Sequence, residues 1–298
     1  MRTPSEPHEI LVDVATLAAH GDAPRWRLVD CRFDLADPGA GARLHAAATI
    51  PGALYAHLDH DLSGPIVPGT TGRHPLPTRE AFAATLSRWG VDAHTQVVAF
   101  DDRGGAFASR LWWMLRWVGH RAAAVLDGGL GAWQAAGHPL APGAQADAQA
   151  DGGPDAQPRF IVGESRVESV DAAQVLAALH DPAQVLLDAR AAPRYRGEQE
   201  GTDPVAGHIP GARCAFCMDN LGADGRFLPP DELRARFDQH LAGADPARAI
   251  AYCGSGVTAC HDLLAMTHAG LPMPRLYPGS WSEWITDPGR PVATGDEG

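Results

Sequence analysis

Ala251-Tyr252-Cys253-Gly254-Ser255-Gly256-Val257-Thr258-Ala259 leads from a short apolar strand, through a cysteine and a glycine-rich turn, into a helical pattern. Gly254 and Gly256 allow the backbone to curl tightly after the strand, so that successive amide N–H groups can face the cysteine. The following helix presents its positive end to the same place, and both effects favour a thiolate. The stretch therefore predicts a nucleophilic or sulfur-carrying cysteine. A small buried hydrophobe is the alternative, but such a residue needs neither two glycines nor two hydroxyls around it.

This loop resembles the active-site loop of the rhodanese superfamily. It is most similar to the form found in 3-mercaptopyruvate sulfurtransferases, where glycine and serine replace the two basic residues of thiosulfate-using rhodaneses. The resemblance covers nearly the whole chain and implies an α/β fold of tandem rhodanese-like domains, each a parallel sheet flanked by helices on both faces. It also implies that Cys253 carries sulfur as a persulfide. The loop residues implied to hold substrate and persulfide are Gly254, Gly256, Val257 and Thr258.

Length and composition agree with a two-domain protein. The chain has 298 residues, of which 45% are apolar and 20% charged, enough to build two ordinary cores. A net charge of −12 argues against a nucleic-acid or anionic-membrane partner. The sequence has neither an N-terminal apolar signal region nor a run approaching the roughly 20 apolar residues of a membrane span, so we expect a cytoplasmic location. Five cysteines, an odd number, do not resemble a secreted disulfide framework.

The chain contains an internal repeat whose order is preserved, and so long a period indicates duplicated domains. We expect an N-terminal rhodanese-like domain over residues 1–140, a linker over 141–165 and a C-terminal catalytic domain over 166–298. Ala141 to Pro158 is polar and rich in alanine, glycine and proline, which is typical of a linker. The matching segments are Leu28-Val-Asp-Cys-Arg32 with Leu186-Leu-Asp-Ala-Arg190, Ile50-Pro-Gly-Ala53 with Ile209-Pro-Gly-Ala212, and Val97-Val-Ala-Phe-Asp101 with Ala249-Ile-Ala-Tyr-Cys253.

Each copy alternates strands with helices, as expected of a parallel sheet covered by helices. The short apolar runs predict buried strands and the longer periodic runs predict helices. The predicted strands are Arg27 to Asp30, Gln96 to Phe100, Ala124 to Leu126, Val185 to Asp188 and Ala249 to Tyr252. The predicted helices are Arg79 to Arg88, Ala106 to Val118, Ala172 to His180, Pro230 to Gln239 and Val257 to Ala269.

The repeat also separates the two copies by function. Asp101 stands in the first copy where the second has Cys253, so the first domain cannot carry a persulfide there. We expect it to be catalytically inactive and to close one wall of the site, since two-domain proteins commonly build sites at the junction. The family that the chain resembles likewise has an inactive N-terminal domain.

The remaining catalytic groups come from the resemblance. Asp61 and His74 match the family positions that form a Ser-His-Asp relay with Ser255, in which His74 moves a proton and Asp61 fixes its tautomer. An exposed loop histidine is the alternative for His74, and His57 and His60 lie close enough in sequence to be confused with it.

Arginine is the expected grip on a carboxylate, because a planar guanidinium matches it bidentately. Arg194 matches the family residue that binds the substrate carboxylate or sulfonate, whereas Arg190 is expected to pair with acids such as Asp188; solvated loop arginines are the alternative reading. Animal mercaptopyruvate enzymes have a second arginine nine residues later, where this chain has Asp203. That difference puts a two-arginine clamp, and the preference for mercaptopyruvate, in question.

Other cysteines and tryptophans give weaker signals. Cys214 and Cys217 form a CxxC, but without a second pair they are better explained as buried thiols than as zinc ligands, with a redox role left open. Cys260 is expected in the core. Trp281 and Trp284 are explained equally well by the border of the site and by packing.

The expected function is transfer of sulfane sulfur from 3-mercaptopyruvate, through a Cys253 persulfide, to a thiol such as thioredoxin or to cyanide, with no metal or organic cofactor. Thiosulfate:cyanide sulfurtransfer is the nearest alternative, although Gly254 and Ser255 supply no charge to neutralise a dianion. A cysteine phosphatase is disfavoured because its loop needs an arginine, and Ala259 and Cys260 offer none. A non-catalytic persulfide carrier or regulatory module is the alternative from another class.

Overall fold

The computed structural model describes residues 6–143 and 159–296, which divide into two compact units. The first unit comprises Met1–Leu62, Pro77–Arg166 and Asp224–Arg226, and the second comprises Ser63–Leu76, Val167–Ala223 and Phe227–Gly298. Most of the expected linker, residues 144–158, lies outside the described residues.

The first unit is built on a five-stranded parallel sheet of order β1-β5-β4-β2-β3. Its central strand β4 is buried along its whole length, because helices cover an all-parallel sheet on both faces. The strands are β1 (Leu11–Val12), β2 (Trp26–Asp30), β3 (Leu54–Tyr55), β4 (Gln96–Phe100) and β5 (Ala123–Leu126). The helices are α1 (Val14–His20), α2 (Ala40–Ala47), α3 (Leu58–Asp61), α4 (Arg79–Arg88), α5 (Ala108–Trp117) and α6 (Gly129–Ala135).

The second unit repeats this plan with a four-stranded parallel sheet of order β7-β6-β8-β9. Here β6 and β8 are central and fully buried. The strands are β6 (Val185–Asp188), β7 (Ala212–Cys214), β8 (Ala249–Tyr252) and β9 (Arg275–Leu276). The helices are α7 (Ala172–Ala178), α8 (Ala192–Tyr195), α9 (Pro230–Leu241), α10 (Ala259–His268) and α11 (Ser280–Trp284), with 3₁₀ turns at Cys217–Asn220 and Pro246–Arg248.

The repeated sequence motifs have the same local geometry in both units. In each Ile-Pro-Gly-Ala turn the alanine N–H donates to the isoleucine carbonyl, at 3.0 Å in the first unit and 3.1 Å in the second. Gly52 and Gly211 have φ of +76° and +79°, the values that a type II turn requires after proline. The Asp-x-Arg motif also repeats, and it begins at the last residue of β2 and of β6. Arg190 donates to Asp188 at 2.6 Å, which confirms the structural role expected for it.

The strands and helices predicted from sequence are confirmed, some with the predicted ends and others with ends shifted by one or two residues. The clearest shift is at the helix expected from Val257, since α10 begins at Ala259 and leaves the loop longer. The sequence missed several two- and three-residue strands, such as β1 and β9, which are too short to show periodicity. Within residues 6–143 and 159–296, no helix combines the length and apolar character needed to cross a membrane.

Residues 63–76 pack with the second unit, although the sequence places them within the expected N-terminal domain. Gly72 approaches the second unit so closely that a Cβ there would lie 2.6 Å from the Gly279 carbonyl oxygen. The next residue, Arg73, donates its backbone N–H to Ser282 Oγ at 3.1 Å. These contacts carry His74 into the second unit.

Candidate active site

Cys253 is the first residue after the central strand β8, at the carboxyl edge of the sheet, where ligands of open α/β sheets bind. Its N–H donates to Ser280 Oγ at 3.1 Å, and its carbonyl accepts from Trp281 N at 3.0 Å. The Gly254 carbonyl accepts from Ser282 N at 2.9 Å. The start of α11 therefore fixes the main chain on both sides of the sulfur, and Cys253 itself is only 2% exposed.

The two glycines of the loop are needed for different reasons. Gly256 has φ of +77°, and a Cβ there would lie 2.1 Å from the Pro278 carbonyl oxygen, so no side chain fits. Gly254 has an ordinary φ, but its Cβ would lie 2.9 Å from Arg73 Nη2 and 3.5 Å from Arg194 Nη1. From the sequence, both glycines were expected to serve the tight turn of the backbone. Gly254 instead leaves space for guanidinium groups.

Ser255 and His74 meet, although 181 residues separate them in sequence. His74 Nδ1 lies 2.7 Å from Ser255 Oγ, and both side chains are buried. The exposed-loop alternative for His74 is therefore wrong. Both residues belong to the second unit. The His74 ring therefore contacts the residue that lies two positions after Cys253 in the loop.

Asp61, the third residue expected in the relay, belongs to the first unit. Its Oδ2 accepts from the His57 backbone N–H at 2.9 Å, and its Oδ1 accepts from Arg88 Nη2 at 3.2 Å. Both of its oxygens thus have partners in or near α3 and α4. The expected role of Asp61 in orienting His74 stays a prediction.

Arg194 and Arg73 place two guanidinium groups beside the cysteine loop, as their approach to Gly254 shows. Sequence reasoning expected Arg194 but missed Arg73, which directly precedes His74 and enters the site with it. Burial, together with the neighbouring Arg194, lowers the pKa of Arg73, while the interaction with Cys253 opposes that change. A second cationic group is therefore present, but it comes from residues 63–76.

Two buried acids hold these arginines. One oxygen of Asp203 forms an ion pair with Arg73 Nη1, and the other lies 3.1 Å from Arg194 Nη2. Glu200 accepts from Arg194 at 3.0 Å and also from the backbone N–H of Asp203 at 3.1 Å. The side chains of Glu200 and Asp203 are only 5% and 3% exposed. The residue that replaces the second family arginine therefore bridges the two arginines of this site.

The second unit contains three further cysteines, which are Cys214, Cys217 and Cys260. Cys217 is buried, burial raises the pKa of its thiol, and its side chain bonds with that of Thr258. Cys214 is half-buried, and burial raises its pKa to about 11. Cys260 is fully buried, as expected. Trp281 is buried as well and stacks under Arg190, whose guanidinium carbon lies 4.9 Å from the ring centroid.

The equivalent loop of the first unit shows what such a turn offers to an anion. Asp101 follows β4 as Cys253 follows β8, and α5 begins seven residues later. The Asp101 carboxylate accepts four backbone N–H groups at 2.8 to 2.9 Å, two on each oxygen. The donors are Arg103, Gly105, Phe107 and Ala108. The loop of this unit is thus a ring of main-chain donors already occupied by a side-chain carboxylate.

Comparison with known proteins agrees with this geometry. A family model described as the rhodanese-like domain matches residues 13–136 and again 171–287. The chain is 53% identical over 289 residues to the "Probable 3-mercaptopyruvate sulfurtransferase" of Pseudomonas aeruginosa, covering 96% of this chain and 98% of that protein. It is 34% identical to the "Thiosulfate/3-mercaptopyruvate sulfurtransferase 1, mitochondrial" of Arabidopsis thaliana, covering 95% and 78%. The solved structure of 3-mercaptopyruvate sulfurtransferase from Leishmania major superposes with a TM-score of 0.77 at 30% identity, covering 95% and 75%.

Proposed function

The chain belongs to the rhodanese family and is a sulfurtransferase, and from that premise we propose that it takes sulfur from 3-mercaptopyruvate onto Cys253. The resulting persulfide is passed to a thiol, such as that of thioredoxin, or to cyanide. The observation that carries the proposal is the convergence on one loop of Cys253, the hydrogen-bonded Ser255 and His74, and two guanidinium groups.

The arginines suit the donor's carboxylate. Arg73 Nη2 and Arg194 Nη1 face Gly254, while Arg73 Nη1 and Arg194 Nη2 hold Asp203. A carboxylate placed over Gly254 would receive charge-assisted hydrogen bonds from both. Its sulfur would then extend toward Cys253, the preceding residue.

The first step conserves atoms and charge. The Cys253 thiolate attacks the donor sulfur, the carbon–sulfur bond breaks, and its electron pair leaves with pyruvate as the enolate. The thiol proton reaches the enolate carbon through the Ser255 hydroxyl and His74, which share a hydrogen bond of 2.7 Å. The products are pyruvate and a Cys253 persulfide anion.

The persulfide anion needs compensation in a buried position. The amides of residues 254–258 are proposed to supply it, with the N-terminal end of α10. The first unit supports this proposal, because its equivalent loop directs four amides at one carboxylate. In the second step an acceptor thiolate or cyanide attacks the outer sulfur and releases the Cys253 thiolate. The identity of the acceptor and the cytoplasmic location stay predictions.

Thiosulfate is the second candidate donor, and one observation favours it. The sequence disfavoured thiosulfate because the loop has no basic residue after the cysteine, yet Arg73 and Arg194 both reach Gly254. The Arabidopsis relative carries both donors in its name. Two guanidinium groups can bind a sulfonate as well as a carboxylate.

Mass spectrometry of the intact protein after exposure to each donor tests the proposal. With 3-mercaptopyruvate we expect one added sulfur on Cys253 and release of pyruvate in an equal amount, and neither change in Cys253→Ser. Any loading from thiosulfate would release sulfite instead. Cys260→Ser is the matched control, because Cys260 is fully buried in the first turn of α10 and the substitution should leave sulfur transfer intact. Sulfur loading without turnover in the presence of acceptors would instead indicate a persulfide carrier, and no loading from 3-mercaptopyruvate would refute the proposal.

A further inference from the structure

The donor pocket, meaning the charged side chains around the Cys253 loop, has as many guanidinium groups as carboxylates. The carboxylates are buried, whereas Arg73 and Arg194 are 26% and 27% exposed. The pocket's three guanidinium groups are Arg73, Arg190 and Arg194, and its three carboxylates are Asp188, Glu200 and Asp203. Asp188 is committed to Arg190 at 2.6 Å, which leaves two arginines and two acids nearest to the loop. The arginines and the carboxylates therefore balance, and the Cys253 thiolate adds one negative charge before any donor binds.

We propose that Asp203 is the residue that selects the donor by charge, so that the pocket accepts a monoanionic carboxylate in preference to a dianion such as thiosulfate. This inference rests on the proposed function, since it concerns which anion the same two arginines receive. Asp203 stands where the animal enzymes have their second arginine, and its role in choosing the donor differs from that of a carboxylate-binding arginine.

The geometry gives Asp203 both its position and its effect. Its two oxygens engage one nitrogen each of Arg73 and Arg194, which holds both guanidinium groups on one shared carboxylate. Arg73 Nη2 and Arg194 Nη1 face Gly254, where the carboxylate of the donor can bind as a second anion. That second anion is close to Asp203 and to the thiolate, so each additional negative charge on it is repelled.

Glu200 fixes Asp203 in this place. Glu200 Oε1 accepts the backbone N–H of Thr202 at 3.0 Å and that of Asp203 at 3.1 Å, while it also accepts from Arg194. The turn that carries Asp203 is therefore tied to the same arginine that Asp203 contacts. A flexible surface acid would be screened by solvent, whereas one 3% exposed is not.

The test compares wild type with Asp203→Asn, which retains the shape of the side chain and removes its charge. A dianion gains about twice the electrostatic benefit of a monoanion from this change. We expect the ratio of kcat/KM for thiosulfate to kcat/KM for 3-mercaptopyruvate to rise about tenfold. A residue that only positions the arginines would lower both values together and leave the ratio unchanged.

Glu198→Gln is the matched control. It removes one negative charge from the same segment, but Glu198 is 55% exposed and pairs with Arg196. We expect the donor ratio to stay within about twofold of wild type, because an exposed charge is screened. An equal change in both variants would overturn the inference, since it would assign the effect to overall charge.

A second measurement remains available if the variant is poorly folded, because it can be made on wild type. Methanesulfonate and sulfate share a tetrahedral sulfur and differ by one charge. We expect wild type to be inhibited more strongly by methanesulfonate, and Asp203→Asn to reverse this order. Stronger inhibition of wild type by sulfate would overturn the inference while the sulfur-loading experiment above still supported the function, so the two failures are distinguishable.

Discussion

Alanine substitutions at Gly254 and Gly256 should affect different properties, donor affinity at Gly254 and stability at Gly256, although the two residues lie in one loop. At Gly256 an alanine must adopt φ of +77°, which costs about 1 kcal/mol for an L-residue. Its Cβ would also lie 2.1 Å from the Pro278 carbonyl oxygen, so backbone has to move. We expect Gly256→Ala to lower the free energy of unfolding by about 3 kcal/mol in total.

At Gly254 the same substitution meets only the ends of flexible side chains. The added Cβ would lie 2.9 Å from Arg73 Nη2 and 3.5 Å from Arg194 Nη1, in a backbone conformation open to any residue. The guanidinium groups can swing aside, so we expect a stability loss below about 1 kcal/mol. Moving them weakens about one charge-assisted hydrogen bond to the donor, which raises KM for 3-mercaptopyruvate about tenfold and changes kcat little.

Urea unfolding and steady-state pyruvate release measure the two effects separately. The reasoning requires Gly256→Ala to lose stability and Gly254→Ala to lose donor affinity. It is refuted if Gly256→Ala unfolds at the same urea concentration as wild type, or if Gly254→Ala retains the wild-type KM for 3-mercaptopyruvate.

The proton relay and one buried carboxyl give further predictions. Ser255→Ala and His74→Asn should each lower kcat by about a hundredfold, and the double variant should lose little more, because both act through one hydrogen bond; additive losses would argue against a shared relay. Asp61→Asn is compared with Asp59→Asn, its neighbour on α3, and the relay requires a larger loss of kcat for Asp61. Burial raises the pKa of Asp262 to about 7. The folded protein therefore keeps a proton that the unfolded chain releases from about pH 4 upward. The free energy of unfolding of wild type should consequently fall by up to about 4 kcal/mol as the pH rises from about 4 to about 7. Asp262→Asn should remove that part of the pH dependence in urea unfolding between about pH 4 and about pH 7, and an unchanged slope would contradict it.

The sequence predicted the features that depend on residues close together in the chain, namely buried strands, turns and one ion pair. The buried strand before Cys253 is apolar and bounded by turn residues, and the repeated Ile-Pro-Gly-Ala turns carry their conformation in proline and glycine. The pairing of Arg190 with Asp188 follows from their spacing at the end of a strand, and the structure confirms it. Each of these depends on residues within a few positions of one another.

The arginine pair could not be predicted in the same way. Arg73 reaches Gly254 only because residues 63–76 pack with the second unit, and 130 residues separate Arg73 from Asp203 in sequence. A rule based on spacing from Arg194 pointed to position 203 and found an acid there. The second arginine is present as Arg73, at a position that tertiary packing determines. The same packing brings Asp203 into contact with both arginines.

The two copies of the loop also explain why a cysteine suits the second one. In the first unit the ring of amides is occupied by a carboxylate that is permanently attached, so nothing further can bind to it. A thiolate is shorter than a carboxylate by one atom, and addition of sulfur lengthens it toward the same donors. In the first unit the Asp101 carboxylate reaches all four amides. At Cys253 the side chain would reach the equivalent amides only as the persulfide, and this favours the persulfide over the thiolate. Asp101→Ala provides the comparison: if the main-chain donors of such a loop require an anion, this variant should lose about 3 kcal/mol of stability in urea unfolding, and a loss below about 1 kcal/mol would undercut the argument for Cys253 as well.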